Sequence, residues 1–288
     1  MELQYYLHEH FATRTAHAYK LIIENYCAQV KHPQQASYKD VLSYLQKQRS
    51  KGKKAPTLLT YIAAVKVYYD WLKKTGIRKD HPCKHLRLKD SIDHRVNVQD
   101  LFSSTELQLI MEQSSAIKRK PTTTVRDHVI LSLLIYQGLT TKNIINIDVK
   151  DLDLEQATIY VKSETTLNAR TLELHPKQIM LINKYLQEER PTLNRNNNTK
   201  FILTRRYQPE RGCGINNVVK IYKHLFPNKT VNPLAIRQSV IANLLKAGKD
   251  IRAVQVFAGH KSPMTTERYQ QTGLEELTAA VMKFHPLQ

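Results

Sequence analysis

Apolar residues in the first ninety positions recur at intervals of three and four, the spacing of one face of an α-helix. The longest of these repeats begins just after Pro56 and stops before Gly76, residue types that often begin and end helices. The pattern therefore predicts a helical domain over residues 1–90. The repeats are Ala18, Leu21, Ile22 and Tyr26, then Val41, Leu42 and Leu45, then the run 58–72.

Helical periodicity is lost over residues 91–104, which we predict to be a linker. It returns at Thr105, with Ser104 or Thr105 as the N-cap, because small hydroxyl side chains favour that position. A strongly apolar helix is then predicted over 126–136, ending at Gly138. These signals begin a second domain, 105–288.

The period changes inside this second domain. Two β-like runs of five residues, 158–162 and 170–174, predict a hairpin, and 201–203 predicts a brief strand or extended stretch. The predicted fold is therefore mainly α with a small antiparallel β-sheet. Its remaining helices are predicted over 141–147, 176–186, 214–225, 237–246 and 250–257.

The balance of charge points to a nucleic-acid partner. The 288 residues include 44 Lys and Arg against 25 Asp and Glu, a formal net charge of +19. A generally basic surface is the alternative interpretation. Within 73–89 the basic residues lie among aromatic ones, and we interpret them as phosphate contacts rather than a solvated face. They are Lys73, Lys74, Arg78, Lys79, Lys84, Arg87 and Lys89.

Several function classes are disfavoured by what the sequence lacks. The cysteines Cys27, Cys83 and Cys213 are far apart, which argues against a zinc site or a disulfide framework and favours the cytoplasm. We find no apolar run of membrane-spanning length and no signal-peptide pattern. The absence of a GxxxxGK loop argues against an ATP-driven motor.

Candidate chemistry lies near the end of the chain. A Gly259-His260 step ends one short helix, and Tyr269 follows nine residues after the histidine. Arg237 opens an earlier helix, and Gly138-Leu139 precedes another. An arginine, a histidine and a tyrosine from successive short helices can converge on one phosphate. In this order and spacing the chain resembles the tyrosine recombinase (phage integrase) family.

The resemblance covers most of the chain. It implies that residues 1–90 are a core-binding domain and 105–288 a catalytic domain. It implies that Tyr269 attacks a DNA phosphodiester, with Arg237 and His260 as phosphate contacts. No metal or other cofactor is implied. The implied partners are duplex DNA and further protomers, either copies of this chain or a different recombinase. The alternatives are a packing tyrosine, a helix-capping histidine and a surface arginine.

Three positions depart from the family pattern. Thr140 stands where the arginine of a Gly-Leu-Arg step is expected, and Leu234 where the histidine of an HxxR box is expected. Thr165 stands where the β-hairpin would supply a lysine, and nearby Lys162 is either a substitute or an ordinary strand lysine. The catalytic set is thus incomplete, and we expect little or no cleavage unless another cation, such as Lys142 or Arg126, reaches the site.

Three functions remain open at this point. The chain is an active recombinase with a substituted pocket, or a recombinase-fold protein that holds DNA or pairs with a competent recombinase, or a repressor of such a reaction. A terminal apolar stripe covers either the chain's own core or a neighbouring protomer. Its residues are Leu274, Leu277, Val281 and Phe284.

Overall fold

The computed structural model describes residues 2–90, 101–116 and 123–269. The chain divides into two compact units, Met1–His94 and Arg95–Gln288. Residues 91–100 of the predicted linker lie outside the described residues, as does the predicted terminal apolar stripe.

The first unit is helical, and its core is rich in tyrosine. The Tyr26 and Tyr69 hydroxyls lie 2.5 Å apart, and the Tyr69 hydroxyl also contacts the Pro33 carbonyl oxygen at 2.9 Å. Both tyrosines are fully buried, so these contacts satisfy polar groups that burial would otherwise leave unpaired. The helices are α1 (Leu3–His10), α2 (Thr13–Gln29), α3 (Tyr38–Ser50) and α4 (Ala55–Lys74).

Local sequence explains where these helices begin and end. The Ser37 hydroxyl accepts from the Asp40 N–H while the Asp40 carboxylate accepts from the Ser37 N–H, a capping box that starts α3. Pro56 lies in the first turn of α4, where its missing N–H costs no hydrogen bond. Gly76 follows that helix with φ of 74°, a conformation that favours glycine.

The second unit combines helices with one small sheet. Its central helix, Thr124–Tyr136, is buried along consecutive positions from Val129 to Leu134, and helices that precede and follow it in the chain pack against it. In chain order the unit contains α5 (Ser104–Ala116), α6 (Thr124–Tyr136), α7 (Thr141–Asn146), β1 (Leu152–Asp153), β2 (Thr158–Val161), β3 (Arg170–Glu173), α8 (Pro176–Lys184), α9 (Arg190–Leu193), α10 (Gly212–Lys220), α11 (Pro233–Lys246) and α12 (Ile251–Ala258). Residues 263–269 are also helical.

The sheet is antiparallel throughout, in the order β1-β2-β3. Ile159 pairs with Leu172, and both face the core, whereas the paired Tyr160 and Thr171 face outward. This alternation is the two-residue period of a sheet with one covered face. The hairpin between β2 and β3 brings residues 164–169 close to the end of α12.

The predicted fold class is confirmed: the described chain is mainly α with a small antiparallel sheet. Several details differ, among them the start of α11, which begins at Pro233, so that Arg237 lies one turn inside the helix instead of opening it. The N-cap of α5 is Ser103, whose hydroxyl accepts from the Glu106 N–H, not Ser104 or Thr105. The two-residue strand β1 was not predicted, because it is too short to show a period. Residues 201–203 form a single bridge, Leu203 to Pro209, instead of a strand.

Within the described residues, no helix combines the length and the apolar character needed to cross a membrane.

Candidate active site

Arg237 lies at the centre of the candidate site. The Asn232 side chain accepts from the Ala235 N–H and begins α11, which carries Arg237 one turn into the helix. The guanidinium is 5% exposed. Its Nη1 donates to the Gly138 carbonyl at 2.5 Å, and its Nη2 donates to the Ala258 carbonyl at 2.8 Å. Burial lowers the pKa of Arg237, so the charge is held at some cost in desolvation.

His260 completes the contact with Arg237. Its Nε2 lies 3.1 Å from Nη2 of Arg237, which can only donate, so Nε2 accepts. The other ring nitrogen, Nδ1, therefore carries the proton and donates to the Thr266 hydroxyl at 2.9 Å. Burial, followed by the charges of Arg237 and Arg170, lowers the pKa of His260 to about 4. The imidazole is neutral near pH 7.

Gly259 sets the position of His260. It ends α12 with φ of 73°, a left-handed conformation that favours glycine. A Cβ at Gly259 would lie 2.5 Å from Nη1 of Arg170 and 3.1 Å from the Asn168 carbonyl oxygen. The backbone of Gly259 thus packs directly against the hairpin, and a side chain there would force the two apart.

Tyr269 lies beside this pair in the helical segment 263–269. The rings of Tyr269 and His260 are nearly parallel, 10° apart, with centroids separated by 6.3 Å. Burial raises the pKa of Tyr269, while the charge of Arg237 and a hydrogen bond with the Gln238 side chain lower it. The structure thus brings together the arginine, histidine and tyrosine that the sequence singled out.

Arg170 is a second buried guanidinium near this site. It opens β3, is 7% exposed, and its Nε donates to the Phe257 carbonyl oxygen at 2.7 Å. Its Nη2 is buried and has no hydrogen-bond partner among the described residues. Burial and the charge of Arg237 lower the pKa of Arg170 to about 10. We call Arg170, Arg237, His260 and Tyr269 together the Arg237 site.

The three substituted positions contribute no charge to the Arg237 site. The Thr140 hydroxyl is the N-cap of α7 and accepts from the Asn143 N–H at 2.9 Å. Leu234 is 61% exposed on the first turn of α11 and offers no polar group. Thr165 is exposed in the hairpin turn, where its carbonyl accepts from the Lys261 ammonium at 3.1 Å.

Glu164 is a carboxylate near the site that sequence reasoning missed. Its side chain is 10% exposed. Oε1 accepts from Nδ2 of Asn143 at 2.5 Å and lies 3.4 Å from the Thr140 hydroxyl. Oε2 lies 3.6 Å from Nζ of Lys142. An acidic side chain therefore contacts Thr140, the position at which the family pattern has an arginine.

The cations considered as substitutes have other contacts. Lys162 forms ion pairs with Asp148 and Asp151, which supports its interpretation as a structural strand lysine. Arg126 is buried and forms ion pairs with Asp127 and Glu210. Lys142 has a largely exposed side chain, and its ammonium lies 3.6 Å from Oε2 of Glu164.

Of the seven basic residues in 73–89 that were predicted to contact phosphate, all except Arg78 are exposed. Arg78 is 12% exposed at its side chain, pairs with Asp80 at 2.8 Å and donates to the carbonyls of Gln34 and Ala36. Because its guanidinium makes these hydrogen bonds within the unit, we assign Arg78 a structural role instead of a phosphate contact. The six others are exposed: Lys73, Lys74, Lys79, Lys84, Arg87 and Lys89.

A helical unit followed by a helical unit with a small sheet and an Arg-His-Tyr cluster is the architecture of an integrase-type protein. The sequence profile of the Phage integrase family matches residues 100–275, and that of the Phage integrase N-terminal SAM-like domain matches residues 3–76. The first match alone spans more than half of the chain. The protein therefore belongs to the phage integrase family.

Curated relatives match along nearly the whole chain. The protein is 26% identical over 282 residues to Tyrosine recombinase XerD of Oceanobacillus iheyensis, covering 94% of this chain and 92% of that protein. It is 24% identical over 292 residues to Tyrosine recombinase XerC of Thermodesulfovibrio yellowstonii, covering 96% and 91%.

Solved structures share the fold at lower identity. The XerH site-specific recombinase bound to a palindromic difH substrate matches with a TM-score of 0.69 and 17% identity over 86% of this chain and 72% of that one. The Tn1549 transposon integrase in complex with a circular intermediate DNA matches with a TM-score of 0.68 and 15% identity over 93% and 95%.

Proposed function

We propose that this protein binds duplex DNA in a site-specific recombination or integration reaction, and that Tyr269 is the residue positioned to break a strand. The observation that carries the proposal is the 3.1 Å contact between Arg237 and His260, with the Tyr269 ring stacked beside the imidazole. Recombinase relatives along the whole chain and the net charge of +19 support the same proposal. The proposal includes a cytoplasmic location and assembly with further protomers on DNA.

The chemistry follows from the residues of the site. The Tyr269 hydroxyl loses its proton as its oxygen attacks the phosphorus of a phosphodiester, the bond to the 5′ oxygen breaks, and that oxygen takes up a proton to leave as a 5′-hydroxyl. The 3′-phosphotyrosyl bond keeps the bond energy, so a second 5′-hydroxyl can reverse the step without a nucleotide. Arg237 stabilises charge on the phosphate oxygens, and His260 holds the guanidinium in place.

This site is expected to be slow. By analogy with arginine fingers, replacing the first arginine by Thr140 costs on the order of 10³–10⁵ in rate. Replacing a histidine by Leu234 removes a donor typically worth about 10²–10⁴. The two losses need not multiply. Arg170 offers a buried guanidinium nearby, but its Nε and Nη1 already donate to backbone carbonyls.

A second candidate function is a DNA-binding partner or regulator that does not cut. The observation in its favour is the chemistry of the substituted positions: Thr140 uses its hydroxyl to cap α7, and Glu164 adds a negative charge beside it. Such a protein would hold DNA with the same units and leave strand breakage to a competent recombinase.

Covalent trapping separates the two candidates. Duplexes that this protein selects from a random pool would be nicked at successive positions and tested for a denaturant-resistant adduct. An adduct that disappears in Tyr269→Phe supports the enzyme. An adduct that forms only after Thr140→Arg combined with Leu234→His supports a partner whose site has lost its chemistry. Failure to select any duplex would contradict both candidates.

A further inference from the structure

The carboxylate of Glu164 is fixed among the segments that build the Arg237 site. Its Oε1 binds the side chains of Asn143 and Thr140, both in the first turn of α7. Two residues before Thr140, the Gly138 carbonyl accepts from Arg237. Glu164 therefore contacts the same stretch of chain that holds one side of the guanidinium.

The backbone of the hairpin turn ties Glu164 to the other side of the site as well. The Glu164 N–H donates to the Leu167 carbonyl at 2.8 Å, and Leu167 forms a bridge with the His260 backbone. Asn168 donates to the Gly259 carbonyl at 2.8 Å. The turn is thus fastened to the segment that carries the histidine, so the position of Glu164 does not depend on a flexible side chain alone.

The two buried guanidinium groups of the site have no carboxylate close to them among the described residues. Arg170 and Arg237 are both more than nine-tenths buried, and within the described ranges no carboxylate lies at salt-bridge distance from either. The charge of Glu164 nevertheless raises the pKa of both guanidinium groups, against the larger lowering by burial. A buried charge without a close counter-ion is costly, and Glu164 offsets part of that cost.

We propose that Glu164 is an internal counter-ion that competes with a DNA phosphate for the Arg237 site. The inference rests on the proposed function, because it assigns the anion that the site would take as a backbone phosphate. The carboxylate of Glu164 belongs to the hairpin turn fastened to the site, so an entering phosphate meets two guanidinium groups and a carboxylate of like charge, which opposes its binding. Glu164 thereby weakens phosphate binding at the site without affecting contacts made elsewhere on the duplex.

The simpler alternative is that Glu164 only supports the start of α7. Glu164→Gln separates the two, because glutamine keeps the size and an oxygen acceptor for Asn143 while it removes the negative charge, and with it the ion pair with Lys142. A purely structural role predicts at most a change in thermal stability. The counter-ion role predicts a change in affinity for an anion.

The test adds inorganic phosphate to the full chain. The affinity for phosphate is obtained from the rise in melting temperature with phosphate concentration. Glu164→Gln is expected to bind phosphate roughly tenfold more tightly than wild type, or better, because one repulsive charge is removed. Glu155→Gln, which removes an exposed carboxylate from the turn between β1 and β2, should stay within about twofold. Equal phosphate affinity in Glu164→Gln and wild type would overturn the proposal. If Glu164→Gln does not fold, Glu164→Ala is measured in the same way with the same expectation.

A duplex-binding arm separates this inference from the proposed function. Wild type and both variants are titrated with a selected duplex of about 30 base pairs. If all bind DNA but phosphate affinity does not change in Glu164→Gln, the counter-ion role is wrong and the proposed function stands. If phosphate affinity rises but neither wild type nor a variant selects or binds any duplex, the counter-ion role stands for a free anion and the proposed function is wrong.

Discussion

Two buried arginines of the second unit are held in opposite ways. Arg126 lies 2.7 Å from Asp127 and 3.3 Å from Glu210, so its charge is matched inside the fold. Arg237 donates to two backbone carbonyls and to the neutral His260, and the described part of the chain brings no carboxylate within salt-bridge distance of it. Their exposures are similar, 9% and 5%.

The difference teaches where to look for function. A buried guanidinium matched by carboxylates has its charge compensated inside the fold and has no need of a ligand. One that is held only by neutral acceptors is positioned and still attracts an anion, which in this family of proteins would be a phosphate. The first unit repeats the contrast on a smaller scale, since Arg78 is matched by Asp80 whereas neighbouring Lys79 is exposed.

The largest expected effect comes from breaking the matched arginine. Arg126→Met removes the cation that Asp127 and Glu210 share inside the fold, which should lower the free energy of unfolding by about 3–5 kcal/mol. Arg237→Met leaves only neutral acceptors without their donor and should lower the free energy of unfolding by about 1–3 kcal/mol. Urea unfolding followed by circular dichroism measures both. The contrast fails if Arg237→Met proves the more damaging of the two.

A pH titration should reveal the neutral histidine. The pKa of His260 is lowered from its ordinary value of 6.5 to about 4, so the unfolded chain gains a proton at this residue before the folded chain does. Its contribution is fully present above pH 6.5 and is lost as pH falls toward 4, up to about 3 kcal/mol. The unfolding free energies of wild type and His260→Gln, each measured at pH 7 and at pH 4, isolate the contribution of His260 to stability. An unchanged difference between the two proteins across that range would refute the assignment.

Gly259→Ala should show how closely the hairpin packs against the histidine segment. Both left-handed strain and the contact with Arg170 oppose a side chain at this position, so we expect a loss of about 1–3 kcal/mol in unfolding free energy. Gly248→Ala is the matched control, because Gly248 has φ of 76° and open space where the Cβ would lie. The excess loss in Gly259→Ala reports the packing. Equal losses would mean that only backbone strain is measured.

The smallest effect is expected in the first unit. Lys79→Ala should reduce the slope of log affinity for duplex DNA against log salt by about one, since it removes one phosphate contact. Arg78→Ala should leave that slope unchanged and instead lower stability. Binding titrations at several salt concentrations distinguish the two. A reduced slope in Arg78→Ala, with none in Lys79→Ala, would reverse our assignment.

Much of the fold could be predicted because its signals are local. The apolar period gives the helices, and the five-residue β-like runs give the hairpin, from neighbouring residues alone. Arg237, His260 and Tyr269 could be singled out because their spacing is a family pattern. The site they share needs the fold, however, since Arg237 and the Gly138 carbonyl are 99 positions apart.

Arg170 and Glu164 were not predicted to belong to the site. Arg170 meets the Phe257 carbonyl across 87 positions, and no periodicity links a strand residue to the end of a distant helix. Glu164 lies in a turn, where its partners are fixed by the path of the hairpin and not by any pattern. The signal in the sequence that points to Glu164 is a charged residue in a β-hairpin turn, next to a substituted catalytic position.

The most direct test of the central claim is a crystal structure of the protein with a selected duplex. We predict that one backbone phosphate has an oxygen within about 3 Å of the Arg237 guanidinium, with the Tyr269 hydroxyl facing the phosphorus. The account would be contradicted by a bound duplex whose nearest phosphate lies beyond hydrogen-bond distance of Arg237 while Glu164 keeps its contacts with Thr140 and Asn143.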